Sequence, residues 1–575
     1  MYREKYEYWL NSPYIDEDGK VELKNIEDEK EIEDRFYKDL EFGTGGLRGI
    51  IGLGSNRMNI YTVGKATEGL SKYLTKKYNT NISVCIAYDC RIMSKEFAQA
   101  AASNLCANGI EVNLFKTLHP TPMLSYAVRE LKSKAGIVIT ASHNPKQYNG
   151  YKVYGEDGGQ VTDDFANAIL GFIESINDFS EIKCMDLKEA ENKGILHMLG
   201  DDIDKSYIEK VKNLAIRKDL IKSHAKDLKI IYTPLHGTGN IPVRRTLKEL
   251  GYENVSVVKE QESPDGSFPT AEYPNPEDPR VFKLALDMAK TIKPDIIFGT
   301  DPDCDRIGIV VKNVEGQYKT LTGNQVGALL THYILSSLKE LNKLPKNGAV
   351  VKTIVTTEMA ADIAKEYGVE LVDVLTGFKY IGEKIKEFKS RGDKEYIFGF
   401  EESYGYLAGD FVRDKDAVIA STLICEMTLY YKMKGISLYE ALLELYKKYG
   451  FYKESLISLE LKGREGHEKI EKILQYMRHS MKRTLGDVKI VKKLDYKLSV
   501  EKDLVNINET KIDLPKSNVI KFIMEDKSWF VVRPSGTEPK IKIYLSIIGN
   551  SLKDAEEKMN MFEKRVMKII EDVNY

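Results

Sequence analysis

The chain has 575 residues, too many for one core, and its length suggests roughly three to five domains. With 42% hydrophobic and 30% charged residues it reads as a globular protein, and a net charge of −2 gives no basic field to hold nucleic acid. No segment reaches the ~20 apolar residues that span a bilayer, Met1-Tyr-Arg-Glu-Lys-Tyr6 is not a signal peptide, and six cysteines without CxxC spacing exclude a zinc ribbon or disulfide framework, so a reducing cytoplasm is expected.

The first forty residues are polar and charged, with aromatics at Tyr6, Tyr8, Trp9, Phe36 and Tyr37, and read as helices packed on a larger body. Phe42-Gly-Thr-Gly-Gly-Leu-Arg-Gly49 follows. Its glycines let backbone approach a ligand, and Arg48 can meet an anion. It lacks the Gly-Lys-Ser/Thr ending of a Walker loop and the strand–helix setting of a Rossmann turn, so a plain turn stays open. The pattern then predicts a helix over 62–76, a strand over 83–87, a helix over 94–108, a strand over 111–115, a stiff turn at His119-Pro-Thr-Pro122 and a helix over 123–131.

The buried run Ile137-Val-Ile139 stops at Thr140-Ala-Ser-His-Asn-Pro145. A polar loop at the end of a buried strand is where open α/β sheets place ligands. Ser142 reads either as a fixed, reactive hydroxyl or as an ordinary turn and helix cap.

A second unit begins near 205, with strands over 228–232 and 255–258 and a strand over 295–298 that ends in Gly299-Thr-Asp-Pro-Asp-Cys-Asp-Arg306. Asp301, Asp303 and Asp305 crowd three carboxylates into five residues, which a hard divalent cation would relieve. An EF-hand would need glycine and an acid where Arg306 and Lys312 stand, so calcium is disfavoured. The alternative is a solvated acidic turn. A third unit has a helix over 324–341, strands over 349–354 and 370–374, Leu375-Thr-Gly-Phe-Lys379, and a strand over 396–400 ending in Glu401-Glu-Ser-Tyr-Gly-Tyr406. From Lys415 the pattern opens a long helix to 431. The last unit carries Arg533-Pro-Ser-Gly-Thr-Glu-Pro539, then a strand over 541–546 and a helix over 552–573. Arg533, with the hydroxyls of Ser535 and Thr537 and the loop N–H groups around Gly536, suits a phosphate dianion. Thr376, Gly377, Lys379, Glu401 and Ser403 supply groups for sugar hydroxyls; taken singly, each of these loops and the Arg533 loop also reads as an ordinary turn. Strand, polar loop and helix recur in the first three units without a fixed period, so internal duplication is a suggestion only. The alternation predicts βαβ units and largely parallel sheets.

Taken together, a serine, an acidic cation loop, a polyol-binding loop and a separate phosphate pocket describe phosphoryl transfer on a phosphosugar. Four segments in this order resemble the α-D-phosphohexomutase superfamily over nearly the whole chain. Thr140–Pro145 resembles its phosphoserine loop, Asp301–Arg306 its metal loop, Glu401–Ser403 its sugar loop and Arg533–Pro539 its phosphate loop. Gly399-Phe-Glu-Glu-Ser-Tyr-Gly-Tyr406 is most similar to the phosphoglucomutase-2/phosphopentomutase branch.

The resemblance implies three similar α/β domains with mixed sheets and a C-terminal α+β, TBP-like domain around a central cleft. We divide the chain at 1–205, 206–320, 321–445 and 446–575. It further implies phosphorylation of Ser142, and Mg²⁺ held by Asp301, Asp303, Asp305 and the phosphoserine. Arg48, His143 and Lys152 lie near the phosphoserine, Arg48 and Lys152 at positions implicated in proton transfer. Sugar contacts come from Arg306, Glu401 and Ser403, and the distal phosphate is held by Arg533, Ser535, Gly536 and Thr537. The implied reaction interconverts glucose 1-phosphate and glucose 6-phosphate through glucose 1,6-bisphosphate, by a monomer or weak homo-oligomer. A pentose mutase and a phosphomannomutase are alternatives within this chemistry. Many phosphomannomutases carry Ser-Gly-His where Ser403-Tyr404-Gly405 stands here, which counts against mannose. Alternatives of other classes are a phosphatase with Asp301 as nucleophile and a silent phosphosugar-binding protein, the latter disfavoured by the intact serine and aspartates.

Overall fold

Short β-branched runs become the central strands of three sheets. A computed structural model describes residues 2–43, 45–461, 463–534 and 540–573. In the first sheet the strands are β1 (Gly46–Ile50), β2 (Ser83–Tyr88), β3 (Glu111–Phe115), β4 (Ala135–Ile139), β5 (Tyr148–Gly155) and β6 (Leu196–Leu199), in the order β1-β5-β4-β2-β3-β6. The second holds β7 (Ile230–Thr233), β8 (Val255–Val257), β9 (Ile296–Thr300), β10 (Ile307–Lys312) and β11 (Tyr318–Thr320), ordered β11-β10-β9-β7-β8. The third holds β12 (Gly348–Thr353), β13 (Glu370–Val374), β14 (Glu395–Glu401) and β15 (Gly405–Ala408), ordered β13-β12-β14-β15.

The sheets are mixed, less parallel than the strand–helix alternation predicts. Their cores are parallel, as in β2 with β3 and β4, β7 with β8 and β9, and β12 with β13 and β14. In each sheet, however, one buried strand is followed by a short polar loop and an antiparallel return: β4 to β5, β9 to β10, and β14 to β15. These loops, 140–147, 301–306 and 402–404, are too short for the crossover a parallel neighbour needs. Each turns through one non-glycine residue in the left-handed region: Ser142 (φ 52°), Cys304 (φ 53°) and Tyr404 (φ 64°). Such a conformation is uncommon and costs energy, and it collects at functional turns. The shared plan of the three units therefore extends to the backbone of their loops.

The fourth sheet is antiparallel. It comprises β16 (Phe451–Glu460), β17 (Thr484–Leu485), β18 (Val488–Asp495), β19 (Val500–Asp503), β20 (Asn508–Lys511), β21 (Ile520–Met524), β22 (Trp529–Pro534) and β23 (Lys540–Gly549), along the path β16-β23-β22-β21-β18-β19-β20 with β17 beside β18. Helices Gly463–His479 and Leu552–Asp572 belong to the same unit, whose core includes Ile473, Leu474, Phe522, Phe530 and Val566. A separate apolar seam joins it to the third unit, where Ile354, Val355 and Leu375 meet Tyr496, Trp529, Val531 and Tyr544.

The opening segment forms helices Tyr2–Asn11, Glu17–Lys24 and Glu29–Phe36, as expected, and they share a small core of Tyr6, Trp9, Ile15, Leu23, Ile32, Phe36 and Leu53. Among the described residues, no helix is long and apolar enough to cross a membrane.

Candidate active site

The three left-handed loops converge. Ile307 N donates to Tyr404 O at 3.2 Å and Ala417 N donates to Cys304 O at 3.2 Å, linking the second and third units. Across the first pair of units, Ser142 Oγ donates to Asp301 Oδ2 at 2.8 Å. Two residues 159 positions apart thus meet at the centre of the site.

The loop that presents Ser142 is held rigidly. Ser142 N–H is held by Thr140 Oγ1 at 2.8 Å, and Thr140 in turn donates to Asp89 at 2.6 Å. Arg91 is fully buried at its side chain and donates to the carbonyls of Ser142 (2.6 Å), Pro145 (2.9 Å) and Tyr148 (3.0 Å), and also to that of Asn144. One guanidinium thereby fixes four carbonyls of the turn. His143 Nδ1 lies 3.1 Å from Ser142 Oγ. Burial, then the charges of Arg306 and Arg48, hold its imidazole well below the usual histidine range, so the ring is neutral at neutral pH. Arg48 on β1 is exposed, with Nη1 3.5 Å from Asn144 Oδ1.

The carboxylates of Asp301, Asp303 and Asp305 are buried, with one oxygen of each inside a 4.8 Å span. Asp301 Oδ1 accepts from the N–H groups of Asp305 and Arg306, both at 3.0 Å. Lys152 Nζ lies 3.0 Å from Asp303 and 3.7 Å from Asp305, and Lys415 Nζ lies 2.9 Å from Asp305. Burial and the neighbouring Asp303 and Asp305 push the Asp301 carboxyl well above the usual range. Burial also opposes ionisation of Asp303, but the ammoniums of Lys152 and Lys415 hold it below that range. Oδ1 of Asp303 and Oδ1 of Asp305 are buried and accept no hydrogen bond among the described residues. Unpaired buried acceptors within one oxygen-rich cluster are the donor set that a hard divalent cation takes.

Beside this cluster opens a cleft of about 610 Å³ to which all four units contribute. His143 and Gln160 come from the first unit, Asn275, Glu277 and Arg306 from the second, and Thr376, Gly377, Glu401, Glu402, Ser403 and Lys415 from the third. Glu454, Arg533, Lys542 and Tyr544 come from the fourth. Arg306 donates to Glu277 at 2.6 Å, and its Nε is buried without a hydrogen-bond partner among the described residues. Lys379 does not face this cleft; its ammonium pairs with Asp163 at 2.7 Å, between the third and first units. Ser535, Gly536 and Thr537 lie outside the described residues.

Several groups in the site carry no sequence signal of their own. Lys415 lies between two aspartates and reads as the opening of a helix. Its flanks are in fact anchors, with Tyr154 donating to Asp414 at 2.8 Å and Tyr207 to Asp416 at 2.7 Å. Glu277 and Lys542 sit in ordinary-looking charged stretches and reach the cleft only through the fold.

Glu401 is 6% exposed, and burial pushes its carboxyl up to about 7 against the opposing charges of Lys415 and Arg306. Between the ordinary glutamate range and pH 7 the folded chain keeps a proton that the unfolded chain has released. Stability therefore falls as pH rises through that window and is level above it. Glu401→Gln is expected to flatten this slope and raise relative stability at pH 8 by about 2–3 kcal/mol. Thermal unfolding at pH 5 and pH 8 measures it, and an unchanged slope would refute the assignment.

The fold and this constellation define a class, the phosphosugar mutases built from three α/β units and a C-terminal sheet. The chain matches the phosphoglucomutase/phosphomannomutase alpha/beta/alpha domain I over residues 39–179, domain II over 205–316, domain III over 322–449 and the C-terminal domain over 482–547. It belongs to the phosphoglucomutase/phosphomannomutase family, within the α-D-phosphohexomutase superfamily. Among curated relatives, a phosphoglucomutase of Staphylococcus haemolyticus is 38% identical over 515 residues, covering 90% of this chain and 91% of the relative. A phosphoglucomutase of Staphylococcus aureus strain MRSA252 is 38% identical over 536 residues, covering 93% and 94%. The open form of the Paramecium exocytosis-sensitive phosphoprotein pp63/parafusin shares the fold, with a TM-score of 0.67 at 18% identity over 93% of this chain and 96% of that one.

Proposed function

We propose that the chain is a phosphoglucomutase, interconverting glucose 1-phosphate and glucose 6-phosphate through phospho-Ser142 and a glucose 1,6-bisphosphate intermediate. The observation that carries this reading is the 2.8 Å contact of Ser142 Oγ with Asp301, beside a cleft that also presents Arg533 and Lys542. A site for the reacting phosphate and a second, distal cationic site are what a bisphosphate intermediate requires. The name carried by relatives 38% identical to this chain supports glucose as the sugar.

In the forward direction the 6-hydroxyl of glucose 1-phosphate attacks the phosphorus on Ser142. The sugar O–P bond forms as the Oγ–P bond breaks, the hydroxyl gives up a proton and Ser142 Oγ gains one. The bisphosphate then exchanges ends, and its 1-phosphoryl group returns to Ser142. His143, neutral and 3.1 Å from Oγ, is placed to hold or pass that proton. Arg48, 3.5 Å from Asn144, and Lys152, 3.0 Å from Asp303, bring positive charge to the two loops that meet at Ser142 and would stabilise negative charge there. Asp301, Asp303 and Asp305, with the phosphate on Ser142, would hold Mg²⁺, whose charge stabilises the transferring group when bound. Thr376, Gly377, Glu401 and Ser403 grip sugar hydroxyls. Arg533 on β22 and Lys542 on β23, together with Ser535, Gly536 and Thr537, hold the idle phosphate. The grouping of the sheets supports domain divisions near 205, 320 and 445. The six unpaired cysteines fit a reducing cytoplasm.

Relative kcat/KM on glucose, mannose and ribose 1-phosphates tests the function. Glucose 1-phosphate is expected to lead, and a clear preference for ribose 1-phosphate would make the chain a pentose mutase instead. Arg533→Ala tests the second phosphate site. A charged hydrogen bond is worth ~1.5–3 kcal/mol, so kcat/KM on glucose 1-phosphate is expected to fall roughly ten- to a hundredfold. Remote binding energy positions the reacting end, so kcat should fall as well as affinity. Undiminished turnover would leave the mechanism without its second site.

A further inference from the structure

We infer that Thr121 is a positioning residue for the aspartate cluster, gripping Asp303 so that its Oδ1 is the oxygen left for the cation. This inference rests on the reading of the three aspartates as a cation site. Thr121 is the first residue of helix Thr121–Glu130 in the first unit and is completely buried. It lies 182 positions from Asp303 and holds it at two points. Its N–H donates to the Asp303 carbonyl at 3.0 Å, and its hydroxyl donates to Asp303 Oδ2 at 3.0 Å.

Lys152 Nζ donates to the same Oδ2, also at 3.0 Å. A carboxylate oxygen has two lone pairs, and both lone pairs of Oδ2 are therefore engaged. Among the described residues, Oδ1 of the same group is buried and has no hydrogen-bond partner. Leaving such an acceptor unpaired is costly, and the asymmetry between the two oxygens is explained if Oδ1 is kept for a cation.

Thr121 has little freedom to shift. It stands between Pro120 and Pro122, and the preceding His119 N–H is bonded to Tyr88 O at 2.9 Å. Tyr88 ends β2, next to the strand that leads to Ser142. The grip therefore ties the aspartate loop of the second unit to the sheet that presents the serine. Groups that orient a metal ligand from behind set its affinity, and their loss typically costs about ten- to a hundredfold.

The test is Mn²⁺ binding to the full-length chain without sugar, followed by the electron paramagnetic resonance signal of free Mn²⁺. Thr121→Val keeps the shape and the N–H but removes the hydroxyl, and is expected to weaken Mn²⁺ binding by about ten- to a hundredfold. Thr121→Ser keeps the hydroxyl and is expected to bind within about threefold of wild type. If the valine variant does not fold, Thr121→Ala against Thr121→Ser makes the same comparison, with unfolding in chelator as the control. Wild-type affinity in the valine variant, or equal losses in valine and serine, overturns the inference while the cation site stands. If the wild-type chain itself binds no Mn²⁺, the cation reading fails, and this inference fails with it.

Discussion

Ser142→Ala is expected to abolish mutase turnover, lowering kcat on glucose 1-phosphate by on the order of 10⁴ or more. The change removes one oxygen and leaves its setting intact. The turn is fixed by backbone contacts, with Thr140 Oγ1 on the Ser142 N–H and Arg91 on four successive or nearby carbonyls, so an alanine can occupy the same left-handed position. The thermal midpoint should therefore stay close to wild type, and sugar phosphate should still bind in the cleft. Loss of turnover with retained folding and binding is the signature of a missing nucleophile. A variant that keeps more than a few per cent of activity would remove Ser142 from the mechanism.

Asp301→Asn should separate activity from stability in the opposite sense. Three buried carboxylates repel one another, and burial with the charges of Asp303 and Asp305 pushes the Asp301 carboxyl well above its usual range. Asparagine can keep Oδ1 accepting from the N–H groups of Asp305 and Arg306, and its amide can face Ser142 Oγ where Oδ2 now accepts. In chelator the variant is expected to unfold at or above the wild-type temperature. Mg²⁺ should raise the wild-type midpoint by binding the folded state and should leave the variant unmoved. Activity should fall by about 10²–10³, the usual loss when one electrostatic stabiliser of a transition state is removed. Equal Mg²⁺-induced shifts in the two proteins would show that Asp301 is not a ligand.

Much of this architecture was legible in the sequence because parallel strands buried on both faces announce themselves as β-branched runs. Glu111–Phe115 and Glu370–Val374 have the bounds their patterns predict, and Ile137-Val-Ile139 lies inside β4. The antiparallel returns were harder to read. β5 is Tyr-Asn-Gly-Tyr-Lys-Val-Tyr-Gly, a polar and glycine-rich stretch whose strand character comes from its place between β1 and β4. The thin outer strands of the fourth sheet, such as the wholly exposed Asn508–Lys511, have no buried face to impose alternation.

The site divides in the same way. Ser142 and the three aspartates lie in dense local motifs, and Ser142 meets Asp301 at 2.8 Å. Lys415 and Thr121 act through aspartates of the second unit, and Glu277 and Lys542 line the cleft only because the fold brings them there, which no local pattern encodes. Lys379 shows the converse: its neighbours Thr376 and Gly377 line the cleft, while its own ammonium is turned to Asp163.

The central claim is that the phosphoryl group resides on Ser142 during turnover. It is tested most directly by incubating the full chain with glucose 1,6-bisphosphate and Mg²⁺, digesting it, and locating the phosphate by mass spectrometry. Phosphate on Ser142 at near-stoichiometric level, discharged on addition of glucose 1-phosphate, is the predicted result. An acid-stable chain with no phosphoserine and label on Asp301, trapped by reduction of an acyl phosphate, would contradict it and make the aspartate the nucleophile.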